Sequence, residues 1–444
     1  MKKSFIIYLS SGLLAAAALP SCSKEFGSLN GAVIEDLTTN PTEFQMINTM
    51  VGTESGIRNN LDFYFDATGV IGREIYRFAG SEPRYTTELL GKDAATLNNN
   101  TFYLTNSWNS RYRGVKNCNT IIQGCTNSKQ ITAPKKKGFL AVAKFFKAYQ
   151  LLLNLNLTYT NGIRVDVNDP DKPGPFLSYD ESLKAISDLL DESKADVAGA
   201  EFAFPLSAGF DIVKTDGAID GAKFIKLNRA LAARVAAYRK DWPGVLSRLN
   251  ESFFDLNGSL TMGAYHVFST GANDQTNITF FRKNSNGEIR LAHPNFHAEA
   301  VAQLGPNDDR IGKATLRDKV ASSDDLSSQW DVWVYTSNVA PITIVRNEEL
   351  ILLYAEAKIR LTQYPDAIVA LNRIRTSHNS SVYGGLVTDD ELTTDLLRQR
   401  RFSFYFEGHR WIDMRRYNKL GDLPKDRPND DVFDKFPRPL TEGQ

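Results

Sequence analysis

Cysteine is almost missing from this sequence: three occur in 444 residues, at positions 22, 118 and 125. Cys118 and Cys125 stand seven apart on an expected helix, roughly two turns and ~10 Å of rise. That is too far for a bridge, so a disulfide framework is excluded, and no Cys/His spacing of a zinc site accompanies them. Histidine is nearly as sparse, with five. His293 and His297 are four apart, but Pro294 stands between them and interrupts the continuous helix a metal pair would need. No GxSxG elbow occurs, and no Ser, His and Asp arrangement stands out. The expectation is a protein with no cofactor, no metal and no catalytic residue. Net charge is absent too, since Lys plus Arg and Asp plus Glu number 52 each. A balanced chain leaves no electrostatic footprint for nucleic acid or for an acidic membrane surface.

What is present begins at the N-terminus. Lys2 and Lys3 precede an apolar run over 5–19, which ends in Leu19-Pro20-Ser21-Cys22. A charged start, a short apolar centre and small residues before a cleavage point describe a secretory signal over 1–21, too short for a membrane span. The four residues ending at Cys22 resemble the lipobox of bacterial lipoproteins, with Pro20 a departure from it. The resemblance implies that Cys22 is acylated and that residues 22–35 tether the rest to a lipid surface.

The remainder, 36–444, has enough apolar content, 42% of the chain, to bury a large core. Helical periods are expected over 41–57, with Phe44, Ile47 and Val51 along one side, and from Ser107 onward with Trp108, Tyr112, Val115 and Asn119 down one face. Further helices are expected over 139–153 and 179–197. The stretch 61–90 reads as loop. Residues 231–250, LAARVAAYRKDWPGVLSRLN, can be laid on 353–372, LYAEAKIRLTQYPDAIVALN. Each copy reads as a helix, an aromatic-proline turn and a second helix with Pro in its first turn, where a missing N–H costs nothing. Such pairs resemble tetratricopeptide repeats, which stack into a curved scaffold. The fold class expected is therefore mainly α: a scaffold of tetratricopeptide-like helix pairs, with an irregular, loop-rich insert at about 254–340 that carries short strands.

The stretch 393–417, TTDLLRQRRFSFYFEGHRWIDMRRY, holds six arginines between Arg398 and Arg416 among five large aromatics. Arginines interleaved with so many rings run their stems along a core and pair with Asp395, Glu407 and Asp413. A first helix is expected to run to Glu407 and stop at Gly408, with a second packing back on it.

The segments Arg346-Asn-Glu-Glu-Leu-Ile-Leu-Leu-Tyr-Ala-Glu-Ala357, Arg398-Gln-Arg-Arg-Phe402, Phe406-Glu-Gly-His-Arg-Trp-Ile-Asp-Met-Arg-Arg416 and Phe436-Pro-Arg-Pro-Leu-Thr-Glu442 resemble, in order, the signatures of the SusD/RagB family. Trp108, Tyr112, Asn117-Cys-Asn119 and Asp308-Asp-Arg310 are similar to upstream family positions. The resemblance implies a lipoprotein at the outer surface of a Bacteroidetes outer membrane, anchored by lipid at Cys22. It further implies binding of oligo- or polysaccharide and delivery to a SusC-like TonB-dependent transporter. It implies a helical scaffold facing the transporter and sugar contacts in variable loops.

Sugars present C–H faces and many hydroxyls, so a site for them needs flat rings with a polar rim. Trp330, Trp333 and Tyr335 in the insert are the first candidates; strand alternation sends Trp330 and Trp333 to opposite faces. Tyr76, Arg84 and Tyr85 are the second. The same scaffold admits a peptide or another non-glycan nutrient. A lipid-anchored glycoside hydrolase would need two facing carboxylates, which sequence alone does not pair.

Overall fold

The computed structural model describes residues 34–169 and 171–443. The expected signal peptide over 1–21, Cys22 and all but the end of the expected tether lie outside the described residues.

Four helices open the fold: α1 (Ile34–Thr39), α2 (Glu43–Gly56), α3 (Leu61–Ile71) and, after strand β1 (Ile75–Phe78), the long α4 (Phe102–Asn127). Thr42 caps α2 in a reciprocal box with Gln45, so that two of the orphan N-terminal donors are satisfied at once. The buried face of α2 is Met46, Met50, Thr53 and Glu54. Phe44 is 71% and Val51 41% exposed, so the side that carries Phe44, Ile47 and Val51 is not the buried one.

The expected loop over 61–90 is also corrected, because its first third is α3. Nine of the eleven residues of α3 are buried. A helix buried all round has no amphipathic period to read, which is why the sequence pattern loosens there. The two residues left partly open are Asp62 and Phe63.

Next comes α5 (Ala133–Thr158), packed lengthwise on α4. Strands β2 (Ile163–Arg164) and β3 (Phe176–Leu177) form a hairpin before α6 (Tyr179–Asp196). Strands β4 (Lys214–Thr215) and β5 (Ala218–Ile219) form another before α7 (Gly221–Tyr238) and α8 (Trp242–Asn250). The later copy of the repeat is α10 (Asn347–Arg360) with α11 (Tyr364–Ser377).

The two copies close their turns identically. In the first, the backbone N–H groups of Arg239, Lys240 and Asp241 donate to Val235, Ala237 and Ala236; in the second, those of Leu361, Thr362 and Gln363 donate to Ala357, Ile359 and Lys358. Every partner is displaced by the same number of residues. Each turn also puts a non-glycine residue at positive φ in the same place, Lys240 at 59° and Thr362 at 56°. A sequence match that reproduces turn hydrogen bonds residue for residue is a structural repeat.

The insert at about 254–340 folds into β6 (Gly263–His266), β7 (Ile289–Ala292), α9 (Asn295–Leu304), β8 (Ala314–Ser323) and β9 (Leu326–Val332). Strands β1, β7, β9 and β8 make an antiparallel sheet in that order, with Arg77 opposite Arg290 and Leu316 opposite Trp330. Strand β10 (Ile342–Arg346) pairs with β6. β1 precedes the scaffold in sequence, so the sheet ties the N-terminal helices to the insert.

The arginine-rich stretch becomes α12 (Asp389–Ser403) and α13 (Arg410–Arg416). The first helix stops before the expected Glu407, because Phe404 to Gly408 turn inward. Phe406 sits at φ 56° and Gly408 at φ 77°, and a Cβ on Gly408 would lie 2.7 Å from the Tyr64 ring. The expected carboxylates take the charge. Arg398 and Arg375 pair with Asp395, Arg400 and Arg416 with Asp413, and Arg346 with Glu407. Arg410 and Arg415 instead donate to main-chain carbonyls of Gly72, Asp434 and Asn156. Two apolar cores result: a large one through the N-terminal helices and sheet, and a smaller one between α10, α11 and α12.

Candidate functional site

Where α3, α4, β1 and the loop before β7 meet, aromatic rings and guanidinium groups alternate. Phe63, on the first turn of α3, meets Phe102, which opens α4, edge to face at 5.8 Å. Tyr85 meets the same Phe102 at 5.1 Å, and the Arg84 guanidinium lies 4.9 Å above that ring. On the other side of Tyr85, Arg77 is 5.1 Å from its ring and 5.0 Å from Phe281, while Arg290 lies 4.5 Å over Phe281. Each cation faces an aromatic quadrupole, the attractive arrangement.

Carboxylates fix this layer from beneath. Asp66, wholly buried on α3, accepts from Arg290 Nε at 2.5 Å and Nη2 at 2.8 Å, and lies 3.3 Å from Arg77 Nε. Arg77 reaches outward to Glu288 at 2.7 Å. Arg84 forks onto Glu82, 2.6 Å and 2.5 Å, and the same bonds hold the Glu82 carboxyl below its usual range. Fork-to-carboxylate pairs of this type fix orientation as well as charge.

Asp62, a turn before Asp66, is different. Burial pushes its carboxyl up to about 6, Arg290 opposing from 3.8 Å, and its Oδ1 is without a hydrogen-bond partner among the described residues. The loop that carries Phe281 is held rigidly. Asn277 bonds to the main chain of Asn338 and Ala340, Arg290 donates to the carbonyls of Ile278 and Thr279, and Asn284 donates to Asp331.

The structure sorts the residues named from sequence. Arg84 stands at the surface, its side chain 43% exposed, and Tyr85 is in the cluster but buried, presenting no free face. Tyr76 is buried in the sheet, stacked on Phe78 at 5.8 Å and set against His293, so it is not a surface ring. Tyr335 is likewise buried, 6.1 Å from Phe406. Trp330 and Trp333 are half-buried and go to different neighbours. Trp330 stacks on His297 at 4.0 Å, and Trp333 meets Phe280 at 6.3 Å.

Phe280 and Phe281 are adjacent, so one loop supports Trp333 with one ring and completes the arginine cluster with the next. Phe63, Phe102 and Asp62 were missed by sequence reading. The signal that could have found Phe281 was its place in the aromatic-rich insert. His293 bonds Asp426 at 2.9 Å while His297 supports Trp330, and among the described residues no group of His, Cys, Asp or Glu is arranged to hold a metal.

The last described residues also fold back onto α4. Trp108 Nε1 on α4 donates to Glu442 Oε1 at 2.9 Å, and Arg164 Nε donates to Glu442 Oε2 at 3.2 Å. Residues 296–440 match the family model SusD_RagB, described as the SusD family. That C-terminal stretch is similar to the SusD family. Solved structures share the fold. A SusD superfamily protein from Bacteroides vulgatus has a TM-score of 0.66 at 15% identity, over 89% of this chain and 96% of that one.

Surface glycan-binding protein A from Bacteroides thetaiotaomicron has a TM-score of 0.65 at 14% identity, over 92% and 97%. A SusD superfamily protein from Parabacteroides distasonis gives 0.63 at 15% identity, over 90% and 96%. No curated protein matches the sequence. The cluster of Phe63, Phe102 and Phe281 lies wholly upstream of the matched stretch, on elements the family model does not cover. Among the described residues, no helix is long and apolar enough to cross a membrane.

Proposed function

We propose that this protein is a SusD-family member: a non-catalytic, lipid-anchored glycan-binding protein of the outer-membrane surface, which captures oligosaccharide and passes it to a SusC-like TonB-dependent transporter. The observation that carries the reading is the layer of Phe63, Phe102 and Phe281 interleaved with Arg77, Arg84 and Arg290 at one surface of a rigid helical scaffold. The partly open rings offer apolar edges to sugar C–H groups, and the partly open Arg84 and Glu82 and the exposed Glu288 at the rim meet hydroxyls, while the buried Arg77 and Arg290 hold the rings in place. The signature in the C-terminal third and the shape shared with a surface glycan-binding protein support the same class.

Asp62 and Asp66 are the carboxylate pair that a hydrolase reading would reach for. Asp66 is wholly buried and forked by Arg290, and Asp62 leans on the same arginine. Asp66, so committed, has no access to a glycosidic bond, and Asp62 by itself does not make the facing pair that hydrolysis needs. Binding without cleavage is the expected outcome. Individual ring and hydroxyl contacts are weak after their ordering costs, so affinity for a single sugar unit is modest.

Incubation of the purified protein with a panel of soluble glycans tests this directly: retention with no shortened products supports the reading, and shortened products contradict it. For the anchor, a labelled fatty acid is incorporated by wild type and lost in Cys22→Ala; equal labelling of both refutes acylation at Cys22. Co-purification of a large β-barrel partner from detergent-solubilised outer membranes is the corresponding expectation for the transporter.

A further inference from the structure

The long helix α4 does more than open the aromatic cluster with Phe102. At 100° per residue, Tyr112, Lys116, Asn119, Thr120 and Gln123 fall on one side of it, about 60° round from Phe102. These five line a groove of about 460 Å³ closed by Arg164, Val167 and Thr441. The face between is open to solvent: Asn109, Arg113, Lys116 and Gln123 are exposed, and Phe102, Thr105 and Asn106 partly so.

The groove has a built floor. Asn119 is buried to 8% exposure, yet neither end of its amide has a hydrogen-bond partner among the described residues. An unmet donor and an unmet acceptor on one planar amide are costly when buried; both atoms are closed to solvent as they stand, so a ligand with vicinal hydroxyls meets them once the amide turns toward the groove. The walls supply what else a sugar ring needs. Val167, Pro173 and the Tyr112 ring are apolar, while the Tyr112 hydroxyl is already engaged, donating to the Arg164 carbonyl at 2.8 Å and accepting from its N–H at 3.0 Å.

The charges are balanced: Arg164 is tied to Glu442 at 3.2 Å, and Lys116 forms no ion pair among the described residues. Pure anion sites gather cations around an empty centre; here one ammonium stands at the rim beside amide, hydroxyl and apolar groups. The composition suits a neutral, polyhydroxylated ring.

We infer that this groove is a second carbohydrate subsite, joined to the aromatic cluster by the solvent face of α4, so that the protein grips a sugar chain along its length. This rests on the glycan-binding reading above. Along the helix, Tyr112 lies ~15 Å and Gln123 ~32 Å from Phe102 at 1.5 Å per residue. A short oligosaccharide therefore fills one subsite, and a longer one engages both and gains from the higher effective concentration of its second end.

The test uses short and long members of the malto-, cello-, xylo- and manno-oligosaccharide series, titrated calorimetrically into wild type, Thr120→Trp, which fills the groove, and Lys116→Ala, a change at an exposed position that leaves the core intact. Expected is a series in which wild-type affinity rises on the order of tenfold or more from short to long. Both variants lose that rise while keeping the short-chain affinity, and the long chain shifts wild-type backbone amide resonances over 116–123. Unchanged long-chain affinity in both variants, or equal loss for short and long chains, overturns the second subsite while leaving the aromatic cluster as the binding site. Failure of wild type to bind any member of the four series, with the glycan panel also negative, removes the glycan reading and this inference together.

Discussion

Glu74, at the edge of β1, shows how much charge this interior suppresses. Burial pushes its carboxyl up to about 8, against the pull of Arg410 and Arg401, and Oε1 accepts from the Phe406 N–H at 3.2 Å. The folded pKa stands above the unfolded one, so the native state binds the extra proton and stability falls as pH rises between about 4.5 and 8. Glu74→Gln keeps the shape and removes the ionisation. Its melting temperature at pH 8 should exceed that of wild type, by an amount on the order of 1–3 kcal/mol in stability, while the two converge near pH 4. Thermal melts across that range check it; parallel curves for the two proteins would mean that Glu74 ionises freely.

Residue-level legibility was uneven for the same reason. The sequence marks Tyr76, Tyr85, Trp330, Trp333 and Tyr335 as rings outside helical periods, but nothing in it says which face a ring presents. In the structure Tyr76, Tyr85 and Tyr335 go inward, and Phe63 and Phe102, ordinary in sequence, are the partly open ones.

At the level of elements, the buried fork between Asp66 on α3 and Arg290 on β7 is what seats the sheet on the helices. Removing one partner leaves the other charge buried and alone, which typically costs about 3–5 kcal/mol. Arg290→Ala should therefore lower the urea midpoint strongly, with Asp66→Ala no less damaging, and the double variant should lose less than the sum. Strictly additive losses would show that the two side chains do not interact.

The repeated turns make a milder prediction. Lys240 and Thr362 hold positive φ, which costs a side-chain-bearing residue about 1 kcal/mol or more, and a β-branched one most. Thr362→Gly should stabilise relative to wild type by up to about 1 kcal/mol, with Lys240→Gly smaller or neutral once unfolded-state entropy is counted. The repeat itself was readable because the two copies align residue for residue and their turns are punctuated by an aromatic and a proline. Helix α3 was not, because burial on every side erased its period. The early end of α12 was equally hidden, since it depends on Phe406 finding Glu74 from a distant strand.

Taken whole, the molecule is a helical scaffold on which the last described residues fold back to α4 through Trp108 and Glu442, with an aromatic, arginine-studded cluster built where the insert meets the N-terminal helices. The resemblance to the SusD family was legible in the ordered motifs after Arg346. The proposed binding surface was not, because it is assembled from four segments that no single stretch of sequence joins. If that surface is the glycan site, its rings must dominate affinity. The decisive measurement is calorimetric titration of the oligosaccharide that wild type retains into the Phe102→Ala, Phe281→Ala double variant, with circular dichroism confirming its fold. A fall in affinity on the order of tenfold or more, ~1.4 kcal/mol or above, is the predicted result; a folded double variant that binds as tightly as wild type would contradict the assignment.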